Sequence, residues 1–436
     1  MESLNQFVNS LAPKLSHWRR DFHHYAESGW VEFRTATLVA EELQQLGYSL
    51  ALGREVVNES SRMGLPDELT LQREFERARQ QGALAQWIAV FEGGFTGIVA
   101  TLDTGRPGPV MAFRVDMDAL DLSEEQDVSH RPYRDGFASC NAGMMHACGH
   151  DGIVASALVL ARILAEEGED FPVRMRFLFE PAEEIGEGAK RMLAAGALDG
   201  EPDIFFMFHY AVDQSFGMAV HEGQASAMIN GMEIRVHGKS SHWCEAHKGI
   251  DSIYAASLVV KALHDLNETY KGKGPCLIGI GTIHGGEYSN IITDLVTLRG
   301  NIRAAYEEDY QALDKRLKET LNEIEAKTGT RIELEYPKPA VLPFANDPEL
   351  TRIAETAGRK IFGEQFLLEG EEQLFLSGDN AYRYFLHTKG LFSVFLAGIP
   401  DKGYPLHHPK FQIDEDILPY SLEALYEILS GIDRDM

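Results

Sequence analysis

The spacing of apolar residues predicts alternating helices and strands in the first half of the chain. Apolar side chains recur every three or four positions in four segments, which predicts helices over residues 4–27, 35–46, 153–166 and 188–195. Short apolar runs predict buried strands over residues 97–102, 110–116, 173–180 and 203–208. Residues 54–90, rich in Arg, Glu and Gln, are expected to form one or two exposed helices. This alternation indicates an α/β fold, a mixed sheet with helices on both faces.

The pattern changes near Ala225 and indicates a second domain of a different class. Strands are predicted over residues 232–236, 278–283, 296–302 and 332–336, and helices over residues 252–266 and 310–327. Two helices on one four-stranded sheet form an α+β domain. We therefore expect a catalytic domain made of residues 1–225 and 339–436, interrupted by an inserted domain over residues 226–338.

Length, charge and cysteine content narrow the class of protein. A chain of 436 residues is long for one domain and suits two. The formal charge of −27 argues against binding to nucleic acid or an anionic membrane, since both need a basic surface. Four cysteines in so long a chain do not suggest a disulfide framework. Without a signal-peptide pattern or an apolar run of roughly 18 residues, a cytoplasmic protein is expected.

The densest group of reactive side chains is the run MHACGHD at residues 145–151. Cys148 and His150 stand two positions apart, and a thiolate and an imidazole together suit zinc or another divalent transition metal. Asp151 could orient a liganding imidazole. The alternative is a buried free cysteine beside surface histidines. His23 and His24 are interpreted as surface or cleft-wall residues rather than ligands.

Three later motifs add carboxylates and imidazoles at or after apolar runs. They are PAEE at residues 181–184, the histidine of Phe208-His209, and HHPKF at residues 407–411. One metal needs three or four protein ligands and two metals need five or more, so this supply suits two ions better than one. Taken alone, an adjacent pair such as Glu183 and Glu184 would more often be an acidic surface turn.

In this order, the four motifs resemble those of the metal-dependent aminoacylase/carboxypeptidase amidohydrolases. The branch with Cys in its first motif includes hippurate, indole-acetyl-amino-acid and p-aminobenzoyl-glutamate hydrolases, and the insertion at residues 54–90 is most similar to the last of these. Related peptidases have a metal-binding His where this chain has Arg114, which has no lone pair to offer a cation. The resemblance covers nearly the whole chain and implies a two-domain metallohydrolase with an inserted lid and dimerisation domain.

The resemblance also implies roles for the motif residues. Glu183 would be the general base that activates a metal-bound water. His407 is preferred over His408 because it precedes an aromatic residue, Phe411, by four positions. The implied ligands of two divalent ions, about 3.5–4 Å apart, are Cys148, His150, Glu184, His209 and His407. Family habit favours manganese, whereas the softness of a thiolate makes zinc possible.

Three residues of the inserted domain resemble substrate-binding positions of the family. His242 would reach the partner subunit's site and donate a hydrogen bond to the developing oxyanion, and the alternative is a surface histidine on a hairpin. Asn290 and Arg303 would hold the α-carboxylate of the substrate, although Arg303 could instead be a salt-bridged residue of the sheet. These roles imply a homodimer, or a heterodimer with a related subunit.

The expected activity is hydrolysis of the amide bond of a small N-acyl amino acid, p-aminobenzoyl-glutamate or a similar compound. A dipeptidase or aminopeptidase on the same scaffold is an alternative, and it would need an acidic group for the free amine. A non-catalytic binding subunit is another. Loss of Glu183 or Cys148 would have marked such a subunit, and the sequence retains both.

Overall fold

The computed structural model forms two compact units. It describes residues 2–60, 62–167, 174–200, 202–212, 215–370, 376–398 and 403–432. The first unit comprises Met1–Glu222, Asn346–Leu368 and Arg383–Met436, and the second comprises Gly223–Ala345 and Glu369–Tyr382.

Helices and strands alternate through most of the chain. The helices of the described residues, numbered in chain order, are α1 (Glu2–His24), α2 (Phe33–Gln45), α3 (Glu68–Gln80), α4 (Arg131–Arg134), α5 (His150–Glu167), α6 (Gly188–Ala194), α7 (Ser252–Thr269), α8 (Glu307–Thr328), α9 (Pro348–Phe362), α10 (Tyr382–Phe385) and α11 (Ile417–Ser430). The strands of the same residues are β1 (Ser49–Leu52), β2 (Ile98–Asp103), β3 (Val110–Asp116), β4 (Arg174–Glu180), β5 (Ile204–Ala211), β6 (Gly217–His221), β7 (Met228–His237), β8 (Ser241–His242), β9 (Cys276–His284), β10 (Ile291–Ile292), β11 (Leu295–Ala304), β12 (Arg331–Glu335), β13 (Phe366–Glu369) and β14 (Lys389–Leu396).

The first unit is built on a mixed sheet of eight strands within the described residues. Its strand order is β1-β2-β4-β3-β5-β14-β6-β13, and the central strands β4, β3, β5 and β14 run parallel. Phe113 of β3 contacts Phe177 of β4 and Phe208 of β5, with ring centroids 5.5 and 5.8 Å apart. Because parallel strands end at the same edge of a sheet, the segments after β3 and β4 start side by side.

The second unit contains an antiparallel sheet with the order β12-β7-β11-β9. Helices α7 and α8 pack against each other and against this sheet, and buried Ile234, Leu298 and Leu317 belong to its core. A separate pair, β8 with β10, places His242 opposite Ile291. The mixed α/β class expected from the apolar pattern is confirmed by this fold.

Several local features differ from the predicted ones. Strand β5 continues through His209 to Ala211, because it pairs along its length with β14, so that His209 lies within the strand rather than after it. By contrast, the expectation of one or two exposed helices over residues 54–90 agrees with α3, a mostly exposed helix that lies between two short 3₁₀ turns. Helix α11 follows the His407 motif and was not predicted. No helix in the described part of the chain has the length and apolarity needed to cross a membrane.

Candidate metal centre

The Cys148 motif turns sharply into helix α5. Gly149 has φ of +86°, a left-handed conformation that favours glycine, and His150 is the first residue of the helix. The Nδ1 of His150 lies 2.8 Å from the carbonyl oxygen of Asp118. A carbonyl can only accept a hydrogen bond, so Nδ1 carries the proton and Nε2 keeps a lone pair when the ring is neutral. This arrangement prepares His150 to bind a cation through Nε2.

His209 is oriented in the same way. Its Nδ1 donates to the carbonyl oxygen of Tyr210 at 2.7 Å, and its Nε2 lies 3.5 Å from the Sγ of Cys148. The rings of His150 and His209 meet edge to face, with centroids 5.8 Å apart. Two imidazole nitrogens and one buried thiol therefore face a common point.

Glu184 and His407 form a second group around the same thiol. The Oε2 of Glu184 lies 3.4 Å from the Nε2 of His407, and its Oε1 is buried without a hydrogen-bond partner among the described residues. His407 has φ of +64°, and its N–H donates to the carbonyl oxygen of Ala147 at 2.8 Å. His408 makes different contacts: its Nδ1 accepts from the N–H of Lys410, and its ring stacks on Tyr404.

The ligand atoms of these residues fall into overlapping triplets, each with all atoms within 4.8 Å of one another. The triplets are Cys148, His150 and His209; Cys148, Glu184 and His407; and His150, Glu183 and Glu184. All five residues predicted as ligands, together with Glu183, are thus brought together. A thiol, three imidazoles and carboxylates form a donor set that suits divalent transition metals, and the unpaired oxygen of Glu184 is a further fit.

Burial and mutual contacts shift the pKa values of the side chains in this cluster. Burial raises the pKa of the Cys148 thiol well above its ordinary value, and the charge of Glu184 adds to this rise. Burial also raises the pKa of Glu184. Although burial alone would lower the pKa of His150, the hydrogen bond with Asp118 and the contact with Cys148 raise it well above its usual value. A cation that binds here must therefore displace protons.

Asp118 holds the backbone of Glu183 and Glu184, the acid pair. Its Oδ1 and Oδ2 accept the N–H groups of Glu183 and Glu184, both at 3.1 Å. The side chain of Glu183 remains near the centre, with Oε2 at 4.0 Å from the Nε2 of His150. Asp118 thus connects the acid pair with His150. The sequence interpretation missed this role, since only the repeated Asp of Asp116-Met117-Asp118 hinted at it.

Arg114 is buried beside the centre and is engaged by carboxylates. Its Nε donates to Glu180 at 2.8 Å, and a terminal nitrogen lies 2.7 Å from Asp116. The same side chain is 3.8 Å from the Oε1 of Glu183. The guanidinium is thus held by these carboxylates.

A buried group of charges lies behind the Cys148 motif, on helix α1 and its neighbours. Asp151 accepts hydrogen bonds from Arg19 at 2.9 Å and from His23 at 2.8 Å. Neither partner is a predicted metal ligand, so the expectation that Asp151 orients a liganding imidazole is wrong. His23 is fully buried and also bonds Glu124 at 2.9 Å, so its expected place at the surface or cleft wall is also wrong. Burial alone would lower the pKa of His23, but the two carboxylates raise it to about 9.

The predicted substrate residues all lie in the second unit. The amide nitrogen of Asn290 is 3.5 Å from the Nε2 of His242, whose Nδ1 accepts the N–H of Cys244. Arg303 lies near the other end of β11, eight residues beyond Leu295 and roughly 25 Å along the strand. Its guanidinium donates to Asn301 and to the carbonyl oxygen of Leu376. Asn290 is therefore grouped with His242.

The large mixed sheet carries, at and near its strand ends, a buried thiol, imidazoles and carboxylates, and this combination is typical of metal-dependent hydrolases. The model of peptidase family M20/M25/M40 matches residues 112–431. The chain is 48% identical to a p-aminobenzoyl-glutamate hydrolase subunit of Escherichia coli, covering 98% of this chain and 97% of the relative. It is 39% identical to indole-3-acetyl-aspartic acid hydrolase of Enterobacter agglomerans, with the same coverage.

Solved structures agree. An aminobenzoyl-glutamate utilization protein from Klebsiella pneumoniae is 31% identical, with a TM-score of 0.68 over 98% of both chains. The YXEP protein of Bacillus subtilis, named as a dinuclear metal-binding peptidase, has the same fold, with a TM-score of 0.72 and 24% identity over 97% of this chain and 98% of that one. The chain belongs to peptidase family M20/M25/M40 and is a hydrolase of amide bonds. The family expected from the motifs is thereby confirmed.

Proposed function

We propose that this hydrolase cleaves the amide bond of an N-acyl amino acid, with p-aminobenzoyl-glutamate or a similar aroyl or acyl amino acid as substrate. The observation that carries the proposal is the convergence of Cys148, the four other proposed ligands and Glu183 within overlapping 4.8 Å triplets. The names of the two similar relatives, both hydrolases of acylated acidic amino acids, support this substrate class.

The proposed cofactors are two divalent ions in each subunit. One would be held by Cys148, His150 and His209, and the other by Cys148, Glu184 and His407, so that the thiolate serves both. When bound, such a pair lowers the pKa of a coordinated water and polarises the amide carbonyl. The thiolate favours zinc, whereas the carboxylate supports manganese, which we favour.

Glu183 is the proposed general base. Its backbone is fixed by Asp118, and its carboxylate lies at the border of the ligand cluster without belonging to either Cys148 triplet. A carboxylate in this place would accept the proton of the attacking water and return it to the leaving amine nitrogen. The guanidinium of Arg114 lies 3.8 Å from this carboxylate and complements its charge.

The second unit is proposed to act as a lid and dimerisation domain. His242 would donate a hydrogen bond to the developing oxyanion in the partner subunit's site, and its contact with Asn290 supports joint action of these two residues. Arg303 is proposed to bind the substrate carboxylate within its own subunit, and Asn290, which lies beside His242, to reach that carboxylate from the partner subunit. The guanidinium is held in place by Asn301 and Leu376, as a carboxylate clamp requires.

Association through the second unit is supported by its surface. Strand β9 is an edge strand of the four-stranded sheet, and Ile283 on it is exposed. Ile253 and Tyr254 of the neighbouring helix α7 are exposed as well. Exposed apolar residues beside an unpaired strand edge favour pairing with another chain. We propose a homodimer, with a heterodimer as the alternative because one relative is named as one subunit of its hydrolase.

Turnover of a substrate panel tests this function. The chain, loaded with Mn²⁺ or Zn²⁺, is assayed with p-aminobenzoyl-glutamate, indole-acetyl-aspartate, hippurate and unblocked dipeptides, and the released amino acid is measured. We expect the acylated substrates to be cleaved and Glu183→Gln to be inactive on them. Preference for free-amine dipeptides would overturn the substrate class, and no turnover with either metal, as a homomer, would point to a required second subunit.

A further inference from the structure

Three successive backbone N–H groups at the acid pair all donate to buried carboxylates. The N–H of Ala182 donates to the Oε1 of Glu32 at 2.8 Å, and those of Glu183 and Glu184 donate to Asp118. Ala182 has φ of +53°, a left-handed conformation that a non-glycine residue holds only when its surroundings impose it. The carboxylate of Glu32 is the acceptor that receives the amide of this strained residue.

Glu32 is fixed on both of its oxygens. It is fully buried, and its Oε2 accepts the hydroxyl of Thr96 at 2.5 Å. Thr96 is itself fully buried just before strand β2. A carboxyl group with both oxygens engaged and no exposure to solvent has little freedom to move, so it defines the position of the amide it receives.

Glu32 does not serve the helix at whose start it stands. It is the residue before α2, yet its side chain makes no capping hydrogen bond to that helix. Glu27 does so instead, since its two oxygens accept the N–H groups of Arg34 and Thr35, both at 2.9 Å. The chain therefore has two buried glutamates five residues apart, one holding its own helix and the other holding a loop 150 residues away.

Close packing joins the two segments further. A Cβ atom at Gly29 would lie 3.1 Å from the Cα of Ala182 and 3.4 Å from the Oδ2 of Asp118. The segment that carries Glu32 thus lies directly against the loop that carries the acid pair. A displacement of either segment would be transmitted to the other.

We infer that Glu32 is a positioning residue for the proposed base and metal ligand, acting through the backbone of Ala182. By accepting the Ala182 N–H, Glu32 keeps Ala182 in its left-handed conformation. It thereby sets the direction in which the side chains of Glu183 and Glu184 project from the loop. Loss of the carboxylate would let Ala182 relax towards an ordinary conformation and move both acidic side chains. The effect on turnover rests on the proposed function, whereas the effect on metal binding does not.

The test compares Glu32→Ala with Glu27→Ala as a matched pair. Both substitutions remove a fully buried carboxylate that accepts backbone amides in the same segment. We measure Zn²⁺ and Mn²⁺ binding to metal-free protein by titration calorimetry, kcat and KM of the loaded enzyme, and Tm. Glu32→Ala should weaken metal affinity and lower kcat by about 10- to 100-fold, as loss of an outer partner of a metal site does. Glu27→Ala should lower Tm with metal affinity and kcat within about twofold of wild type.

Conservative variants keep the inference falsifiable if Glu32→Ala does not fold. Glu32→Gln retains an oxygen for the Ala182 N–H and an amide that can donate to Thr96, so it should recover metal affinity and kcat. In Glu32→Asp the side chain is one methylene too short to reach the Ala182 N–H, so this variant should behave as Glu32→Ala. The inference would be overturned if folded Glu32→Ala or Glu32→Asp had a metal affinity and a kcat within about twofold of wild type. If wild type binds metal but cleaves no substrate, the proposed function fails, and metal affinity alone decides the role of Glu32.

Discussion

Replacing His23 with Gln should remove a pH dependence of stability that wild type shows between neutral and alkaline conditions. His23 lies on α1 with both ring nitrogens against carboxylates, Asp151 of α5 and Glu124. Arg19 donates to the same Asp151, and the Nε2 of His130 donates to Glu124 at 2.7 Å. The ring of His146 has its centroid 6.5 Å away.

The size of the effect follows from the pKa of His23, which burial alone would lower but the carboxylates raise from 6.5 to about 9. At 1.36 kcal/mol per pKa unit, protonated His23 stabilises the folded state by about 3 kcal/mol. This contribution is fully present below pH 6.5, where both states are protonated, and is lost as pH rises through about 9. Burial alone would raise the pKa of Glu124, but His130 and His23 lower it to about 2, so Glu124 stays ionised over this range.

Urea denaturation monitored by tryptophan fluorescence measures this effect. Trp18, Trp30 and Trp87 lie in the first unit, and a Trp243→Phe background removes the signal of the second. The difference in unfolding free energy between wild type and His23→Gln should shrink by about 3 kcal/mol from about pH 6 to about pH 10. His24→Gln, the adjacent histidine on the same helix, is the control and should follow wild type. Equal pH dependence in wild type and His23→Gln would refute the argument.

Three further predictions concern the metal centre and the assembly. Glu183→Gln should retain bound metal, measured by elemental analysis, and lose about 10²- to 10⁴-fold in kcat, because the amide cannot accept a proton; a variant with most of its kcat would exclude Glu183 as the base. Metal affinity should fall as pH decreases, since the Cys148 thiol, whose pKa is raised by burial, must lose its proton, and calorimetry in buffers of different ionisation enthalpy should detect proton release; affinity independent of pH would contradict a thiolate ligand. Mixing inactive Glu183→Gln and His242→Ala subunits should restore about a quarter of the wild-type activity, because a symmetric mixed dimer has one intact site of two; no recovery despite subunit exchange would show that His242 does not act across an interface.

The elements that carry the proposed ligands could be predicted because each combines a strong apolar pattern with reactive residues. The strand before Glu183 and the helix after Cys148 are marked by long apolar runs, and their predicted bounds differ from the observed ones by a few residues. Glycines at positive φ end helices at the expected places, as Gly47 and Gly196 show. These features depend on residues close together in the chain, so they can be predicted from a single sequence.

Features that depend on the meeting of distant segments could not be predicted. Glu32 and Asp118 hold backbone amides, and an amide acceptor has no residue type or spacing that marks it in a sequence. The continuation of β5 through His209 depends on β14, which pairs with it from far along the chain. The prediction that His23 lies at the surface or cleft wall was wrong because its two carboxylate partners, Asp151 and Glu124, lie far away in the sequence.

The division of the first unit into separate stretches of chain has a consequence during protein synthesis. Strand β14 and His407 are made after the whole second unit, yet β14 lies between β5 and β6 in the sheet. A nascent chain that ends before residue 383 therefore exposes unpaired edges on β5 and β6 and lacks His407, one of the proposed ligands. Interrupted translation should yield products that aggregate or are degraded, and hydrolytic activity should arise only after the last stretch has been made.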